Sequence, residues 1–430
     1  MQENDLATLH SCLYNAPMQD WQTWLASGTI VPHFQPIISV ETQQIYGYEV
    51  LGRLLFPTGK TESMGPFFNA DIPKDSPLEE KNALEDLKRT VDRTLRKKAI
   101  EILAASEDQE AKVFFNVSPS QMYRYVTSGN GGTPQTIQLI RDAGFSPHRV
   151  VIEITEERFE ADLESLQELL ALYRQEGFRV AVDDVGSESS NLDRIGLFHP
   201  EIIKVDLQLL RRSLHSRSFK KILVHLAKLG ESVGSSLLFE GVESQEELYQ
   251  ALETGARYLQ GFYFSRAQAE LLPRDRFSTL MKQGLDQLLI RRQGSILQSA
   301  KWEQIIRNQL DSLEIHIEKD ANVPLVVCTP TEPLSRFLHR AYLTDHKGYQ
   351  VSPNLTWDLQ GLPQYDSKPL GHNWSTRPYF FDHLFKDHKK NQDWAGSKVY
   401  RDATDRHMIK TFSRELSEGY LLFLDVVTED

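Results

Sequence analysis

Two adjacent carboxylates, Asp183 and Asp184, end a short apolar run (Val180 to Val182), and a Gly/Ser-rich stretch follows as far as Asn191. A short apolar run bounded by turn residues reads as a buried strand. An ionised carboxylate in a core is costly unless it is paired or binds a metal. Acids at a strand end are therefore either a capped turn or part of a site. Successive side chains of a strand point to opposite faces, so both aspartates face one site only if Asp184 already belongs to the loop. The pattern recurs. Glu49, Asn116, Glu153, Lys204, Glu240 and Gln260 lie in or at the C-terminal ends of six other apolar runs. One polar strand end is ordinary turn chemistry, whereas seven in register are hard to explain as turns.

Four or five carboxylates and an amide oxygen are hard ligands, which suit Mg²⁺ or Mn²⁺ better than zinc. Without divalent cations, the converging like charges would push some pKa values up. A metal pair about 3.5–4 Å apart, bridged by one carboxylate, is the usual device for phosphoester cleavage, activating a water and steadying the attacking and leaving oxygens. Lys204 would orient that water or stabilise developing phosphate charge; its plainer role is a buried ion pair with Asp206 or a neighbour. Two other chemistries stay open. A glycosidase uses an acid pair but explains Asn116 and Lys204 less well. Schiff-base chemistry through Lys204 would not need so many acids.

The elements that must position these groups alternate. Strand-like runs fall near 30–38, 44–51, 112–118, 149–156, the run into Asp183, 202–206, 237–243 and 258–264, with helical periodicity at 78–103, towards Arg141, towards Gln175 and at 218–229. Strand then helix, repeated about eight times over roughly 250 residues, predicts a parallel sheet closed as a TIM-like (β/α)8 barrel, whose strand C-termini converge on one face. At 430 residues the chain exceeds one ordinary core, so further domains are expected. Residues 1–20 read as a helical extension, 21–268 as the barrel, 269–318 as a linker helix interrupted near Gly294, and 319–430 as a small α+β domain of short β-type runs near 323–327, 341–343, 408–412 and 420–427. The linker suits a connector or a homodimer surface.

Composition is that of a globular protein, 40% hydrophobic and 25% charged. The net charge of −12, spread along the chain, argues against a nucleic-acid surface, which needs a basic footprint; a small anionic ligand fits if cations stand between it and the acids. No basic start followed by an apolar run opens the sequence, and no apolar stretch is long enough to span a membrane. Cys12 and Cys328 are far apart and form no ligand pattern. A reduced, cytoplasmic setting is expected.

The motifs in order are Gln35-Pro-Ile, Glu49-Val-Leu-Gly-Arg53, Phe115-Asn-Val-Ser118, Glu153-Ile-Thr-Glu156, Asp183-Asp-Val-Gly186, Lys204-Val-Asp206, Glu240-Gly-Val-Glu243 and Gln260-Gly-Phe. Any one is weak; the eight in order resemble the EAL domains, barrel-fold phosphodiesterases or receptors of cyclic-di-GMP. The resemblance implies that Glu49, Asn116, Glu153 and Asp183 bind metal and that Asp183 and Asp184 serve a second ion. Lys204 would sit by the nucleophilic water, with Glu240, Glu243 and Gln260 completing the metal and water network. Glu49, Lys204 and Glu240 would form the catalytic set, Gln35, Arg53, Asp206, Glu243 and Gln260 would meet the substrate, and Glu156 would anchor the loop after Asp184. The implied reaction is Mg²⁺- or Mn²⁺-dependent hydrolysis to pGpG, with Ca²⁺ inhibitory.

The likeness is greatest to YkuI-type members, in Met64 to Phe68, in Glu188 to Arg194 and in the C-terminal region, which is similar to a PAS-like (Cache-like) sensor domain. There Trp374, Arg377 and Tyr379 would line a pocket for an unknown small ligand, or equally form core and an ion pair. Active members usually carry Phe, Thr, Gly and Tyr where this chain has Val185, Ser187, Glu188 and Ser189. Losing a glycine to Glu188 removes access to positive φ and adds a charge beside the second metal, so weak or controlled turnover is expected, with a binding-only receptor as the alternative. No diguanylate-cyclase signature is present, so the chain is not expected to make the messenger.

Overall fold

The computed structural model describes residues 18–70, 77–117, 133–154, 163–186, 193–358, 360–380, 394–402, 406–416 and 419–428. The chain divides into two units, Met1–Arg291 and Arg292–Asp430. The first is built on β1 (Thr29–Ser39), β2 (Ile45–Leu55), a short β3 (Thr61–Ser63), β4 (Lys112–Val117), β5 (Val150–Ile154), β6 (Arg179–Val185), β7 (Ile202–Val205), β8 (Ser236–Phe239) and β9 (Tyr258–Gln260). Their hydrogen-bonded order is β1-β9-β8-β7-β6-β5-β4-β2, and β1 pairs back onto β2, so eight strands close a barrel, with β3 beside β2. The expected TIM-like closure is present, with one correction to the all-parallel reading. β1 runs antiparallel to both β2 and β9, while β2 and β4 to β9 are parallel. Only residues 40–44 join β1 to β2, and a parallel return needs a crossover of a dozen or more residues.

The helices are α1 (Met18–Ala26), α2 (Gly65–Phe68), α3 (Leu78–Ala105), α4 (Gln135–Asp142), α5 (Leu163–Gln175), α6 (Asp193–Phe198), α7 (Leu207–His215), α8 (Arg217–Ser232), α9 (Gln245–Thr254) and α10 (Ser278–Ser312). Helices α3 to α9 and the start of α10 bury an apolar stripe against the outer face of the strands, in one core that includes Leu95, Ile137, Leu169, Leu210, Leu223 and Leu248, while Trp21 of α1 and Phe67 of α2 pack in a smaller cluster with Leu84 and Val91 of α3. Strands covered on both faces read as near-continuous apolar runs, as in β5 and β7, where every residue is buried.

Inside the barrel a separate apolar layer contains Ile37, Phe114, Val151, Ala181, Ile202, Leu238 and Tyr258. Side chains two apart on a strand share a face. Two residues on from Phe114, Val151, Ala181, Ile202, Leu238 and Tyr258 stand Asn116, Glu153, Asp183, Lys204, Glu240 and Gln260. On the antiparallel β1 the step runs backwards, from Ile37 to Gln35. In β2 the layer position below Glu49 is Gly47, where a Cβ would lie 2.5 Å from the Lys112 carbonyl oxygen. The polar residues are thus the next floor above a dry plug.

The second unit carries the hairpin β10 (Ile315–Asp320) and β11 (Val323–Cys328), then β12 (Leu338–Thr344), β13 (Asn354–Trp357), β14 (Pro363–Asp366), β15 (Ala395–Gly396), β16 (Tyr400–Arg401), β17 (Met408–Glu415) and β18 (Leu421–Val427). These form an antiparallel sheet in the order β14-β13-β12-β18-β17-β15, with β16 on β17. All four expected β-type runs fall in strands. Ile306 and Leu310 of α10 pack on Leu338, Phe412 and Leu424. The expected break near Gly294 is absent: α10 runs unbroken for 35 residues. A lone helical glycine costs only about 1 kcal/mol, and Leu288, Leu289, Arg291, Arg292 and Gln293 before it are strong helix formers.

Two glycine substitutions should move stability in opposite directions in urea unfolding. Gly47→Ala is expected to lose about 1–3 kcal/mol by overpacking against Lys112. Gly294→Ala, with nothing near its added methyl, should gain about 0.4–1 kcal/mol.

Candidate metal centre

The floor above the plug is organised by Lys204. Its Nζ lies 2.9 Å from Glu153 Oε1, 3.2 Å from Asp183 Oδ1 and 2.5 Å from Glu240 Oε1, and the ammonium-bearing side chain is 1% exposed. The ion-pair reading of Lys204 holds, with these acids as partners in place of Asp206. Beside it, Glu49 is held at both oxygens: Oε1 accepts from Asn116 Nδ2 at 2.8 Å and Oε2 from Gln260 Nε2 at 2.7 Å. Two bonded groups result, Glu49 with Asn116 and Gln260 from β2, β4 and β9, and Lys204 with Glu153, Asp183 and Glu240 from β7, β5, β6 and the residue after β8; Glu49 also acts on Lys204 through space. Parallel register accounts for part of this, since Asn116 lies opposite Glu153.

Asp184 reaches the same place by an unexpected route. It belongs to β6 by hydrogen bonding, yet its φ is +56° and the β6–β7 register slips between Val182 and Val185. A strand irregularity of this kind re-aims a side chain, and aspartate tolerates the left-handed conformation better than most residues. Oxygens of Asp183, Asp184 and Glu240 consequently lie within 4.8 Å of one another. The requirement that Asp184 leave the alternating pattern is met inside the strand.

Burial pushes the Glu153 carboxyl well above the usual carboxylate range, against the pull of Lys204. Burial does the same to Glu240, joined by repulsion from Asp183. For Lys204, burial alone would favour loss of the proton, but Asp183, Glu153, Glu240 and Glu49 outweigh it and hold the ammonium charged. One ammonium stands among the carboxyl groups of Glu49, Glu153, Asp183 and Glu240, with Asp184 adjoining, so acids outnumber the cation. Among the described residues, Glu153 Oε2 and Gln260 Oε1 are buried acceptors with no hydrogen-bond donor. Unpaired buried oxygens in an excess of carboxylates fit divalent cations that prefer oxygen ligands.

The remaining expected residues separate. Gln35 is buried opposite Glu49 in the β1–β2 register. Arg53 donates to the Gly52 carbonyl at 2.9 Å, its guanidinium affected by burial and by Glu49 in opposite senses. Asp206 caps α7 by accepting from the Gln208 N–H at 2.7 Å. Glu243 is engaged by Arg211 at 2.6 Å, and Arg211 also grips Glu247 of the Ser244 capping box. Glu156 and the loop residues Ser187, Glu188 and Ser189 lie outside the described residues, while Val185 is buried in the core. In the second unit, Trp374 donates to Gln350 Oε1 at 2.8 Å, Arg377 lies 5.9 Å from the Trp374 ring centre, and the hydroxyls of Tyr379 and Tyr342 are 3.3 Å apart. Tyr379 also stacks on Tyr400. These three residues edge an aromatic cluster.

Arg211 and Arg96 were missed. Arg96 sits on the 78–103 helix, whose charges read as surface, and Arg211 in a stretch where no helix is expected; only the i, i+4 spacing of Asp92 and Arg96 hints at a held guanidinium.

Removing the central cation should leave its acids uncompensated. Lys204→Met is expected to lower metal-free stability by about 3–5 kcal/mol. Saturating Mn²⁺ should then raise the thermal midpoint of Lys204→Met more than that of the unchanged protein, as scanning calorimetry would show.

Residues 18–267 match the EAL domain family model, and residues 271–429 match the EAL-domain associated signalling protein domain. The chain is 31% identical over 415 residues to the EAL-domain containing protein YkuI of Bacillus subtilis, covering 92% of this chain and 94% of that protein. It is 32% identical over 164 residues to the cyclic di-GMP phosphodiesterase RocR of Pseudomonas aeruginosa, covering 38% and 40%. The crystal structure of Bacillus subtilis YkuI in complex with c-di-GMP and calcium matches with a TM-score of 0.79 at 28% identity, over 96% of this chain and 99% of that one. With more than half its length matched by the family model and the acids of that family's motifs gathered around one buried lysine, this chain belongs to the EAL family.

Proposed function

We propose that the chain binds cyclic-di-GMP at the C-terminal mouth of its barrel and hydrolyses it to pGpG with a pair of Mg²⁺ or Mn²⁺ ions. The observation that carries this reading is the convergence of Glu49, Asn116, Glu153, Asp183, Asp184 and Glu240 near Lys204, with buried oxygens left without donors among the described residues. The complex of the YkuI relative with c-di-GMP and calcium supports it.

Glu49, Asn116, Glu153 and Asp183 would hold one ion, and Asp183 and Asp184 the second, with Glu240 beside them. Bound divalent cations would supply an activated water and neutralise charge on the phosphodiester. Lys204 keeps its proton among the acids, so its Nζ can donate towards oxygens of the attacking water or the phosphate. Glu49 is locked by Asn116 and Gln260, which removes rotamer freedom before substrate arrives. The apolar layer beneath excludes water from below and strengthens each of these interactions. Gln35 and Arg53, on the β1–β2 hairpin, would contact the dinucleotide, together with Asp206, Glu243 and Gln260. Glu156 would anchor the loop after Asp184.

The second unit is read as a sensor that controls turnover, with a small ligand near Trp374, Arg377 and Tyr379. The exposed Leu289, Ile290, Ile296 and Leu297 of α10 suit a homodimer. No helix among the described residues is long and apolar enough to cross a membrane; a cytoplasmic setting is part of the proposal. A second reading, a receptor that barely hydrolyses, is favoured by Glu188 where active members carry glycine.

Titration with cyclic-di-GMP in Ca²⁺, followed by product analysis in Mg²⁺ or Mn²⁺, tests this. Binding and then pGpG release, reduced to background in Glu49→Ala, is the expected result. Binding without product would make the chain a receptor, and no binding in any of these ions would overturn both readings.

A further inference from the structure

On the outer side of β4, away from the acids, a second charged group is buried. Arg96 of α3 is only 5% exposed. Its Nε donates to Asp92 Oδ1 at 3.0 Å and its Nη2 lies 2.7 Å from Asp92 Oδ2, one turn back on the same helix. Nη1 donates to Thr136 Oγ1 of α4 at 2.6 Å, and Nη2 donates to the backbone carbonyl of Asn116 at 2.9 Å. The guanidinium carbon stands 5.5 Å from the centre of the Phe115 ring. One planar fork therefore joins two helices to a single strand residue.

That residue matters because of where the sheet ends. β2 pairs with β4 only from Lys112 to Phe114, so Asn116 lies beyond the β2 ladder. A buried carbonyl needs a donor, and Arg96 supplies one from outside the barrel. On the inner side, the Asn116 amide donates to Glu49, which Gln260 holds from the other flank. The order of contacts is Asp92 and Thr136 to Arg96, Arg96 to the Asn116 backbone, and the Asn116 amide to the Glu49 carboxylate.

We propose that Arg96 is a positioning residue for the divalent-cation site: by gripping the Asn116 carbonyl it fixes the Asn116 side chain, and through it Glu49, as oxygen ligands. The inference rests on the proposed cation site and adds a residue that touches neither metal nor substrate. Partners that orient metal ligands typically change affinity by about 10–100-fold when removed. Lysine would keep the charge but lose the fork geometry, so Arg96→Lys should fall between the unchanged protein and Arg96→Met.

The test is calorimetric titration of the metal-free full chain with Mn²⁺, well below the unfolding temperature of each variant. Arg96→Met is expected to weaken Mn²⁺ binding about 10–100-fold, with Arg96→Lys intermediate. Thr136→Val, which breaks only the helix-to-helix arm, should lower the thermal midpoint and leave Mn²⁺ affinity in place. In an Asn116→Ala background, Arg96→Met should have no further effect on Mn²⁺ affinity, because the two act in series. Unaltered affinity in Arg96→Met and Arg96→Lys, or a full additive loss on top of Asn116→Ala, would overturn the proposal. Failure of the unchanged protein to bind Mn²⁺ would instead remove the cation site itself, and the positioning role with it. If Arg96→Met does not fold, the lysine variant and its cycle with Asn116→Ala decide the matter by the same criteria.

Discussion

One ammonium group in a ring of carboxylates is the interaction on which the rest of this molecule depends. Lys204 is fully enclosed, and its charge is retained only because Glu153, Asp183 and Glu240 lie within ion-pair distance. The converse also holds. Glu153 is 0% exposed, and a buried carboxylate without a partner would protonate or destabilise the fold. Neither side of the arrangement is stable alone, and even together they leave more acids than the one ammonium can pair and, among the described residues, buried oxygens without donors. This standing electrostatic demand is what suits the barrel mouth to divalent cations.

The barrel meets the demand through the simplest property of a strand, its two-residue period. A dry layer from Ile37 to Tyr258 fills the interior, and the next inward-facing position on each strand is polar. Layered packing of this kind is how closed barrels fill their interiors, with chemistry at the strand C-termini. Where the period would send Asp184 outwards, the strand breaks its own rule with a left-handed residue and a register slip. The gain is a third oxygen donor next to Asp183 and Glu240.

Much of this was legible in the chain because the relevant signals are local. Apolar runs ending in Asn116, Glu153, Asp183, Lys204 and Gln260 marked both the strands and the candidate site, and alternation with helical periodicity marked the barrel. The missing pieces depend on pairing across the fold. Nothing in the 30–38 run says that β1 turns antiparallel; only the five-residue link to β2 does so. The continuity of α10 through Gly294 is hidden because glycine is a helix breaker by propensity, and the strong helix formers beside it carry the helix through. Arg96 reads as one more charge on a surface helix until the contacts with Thr136 and Asn116 are seen. Glu243 sits in a family motif, but its partner Arg211 comes from a different helix, beyond the reach of spacing arguments.

The most direct measurement is anomalous diffraction at the manganese edge from crystals of the full chain grown with Mn²⁺. The account predicts two peaks about 3.5–4 Å apart, one among Glu49, Asn116, Glu153 and Asp183 and the other beside Asp183 and Asp184. Mn²⁺-saturated crystals with no peak in this ring, and Lys204 alone bridging the acids, would contradict it.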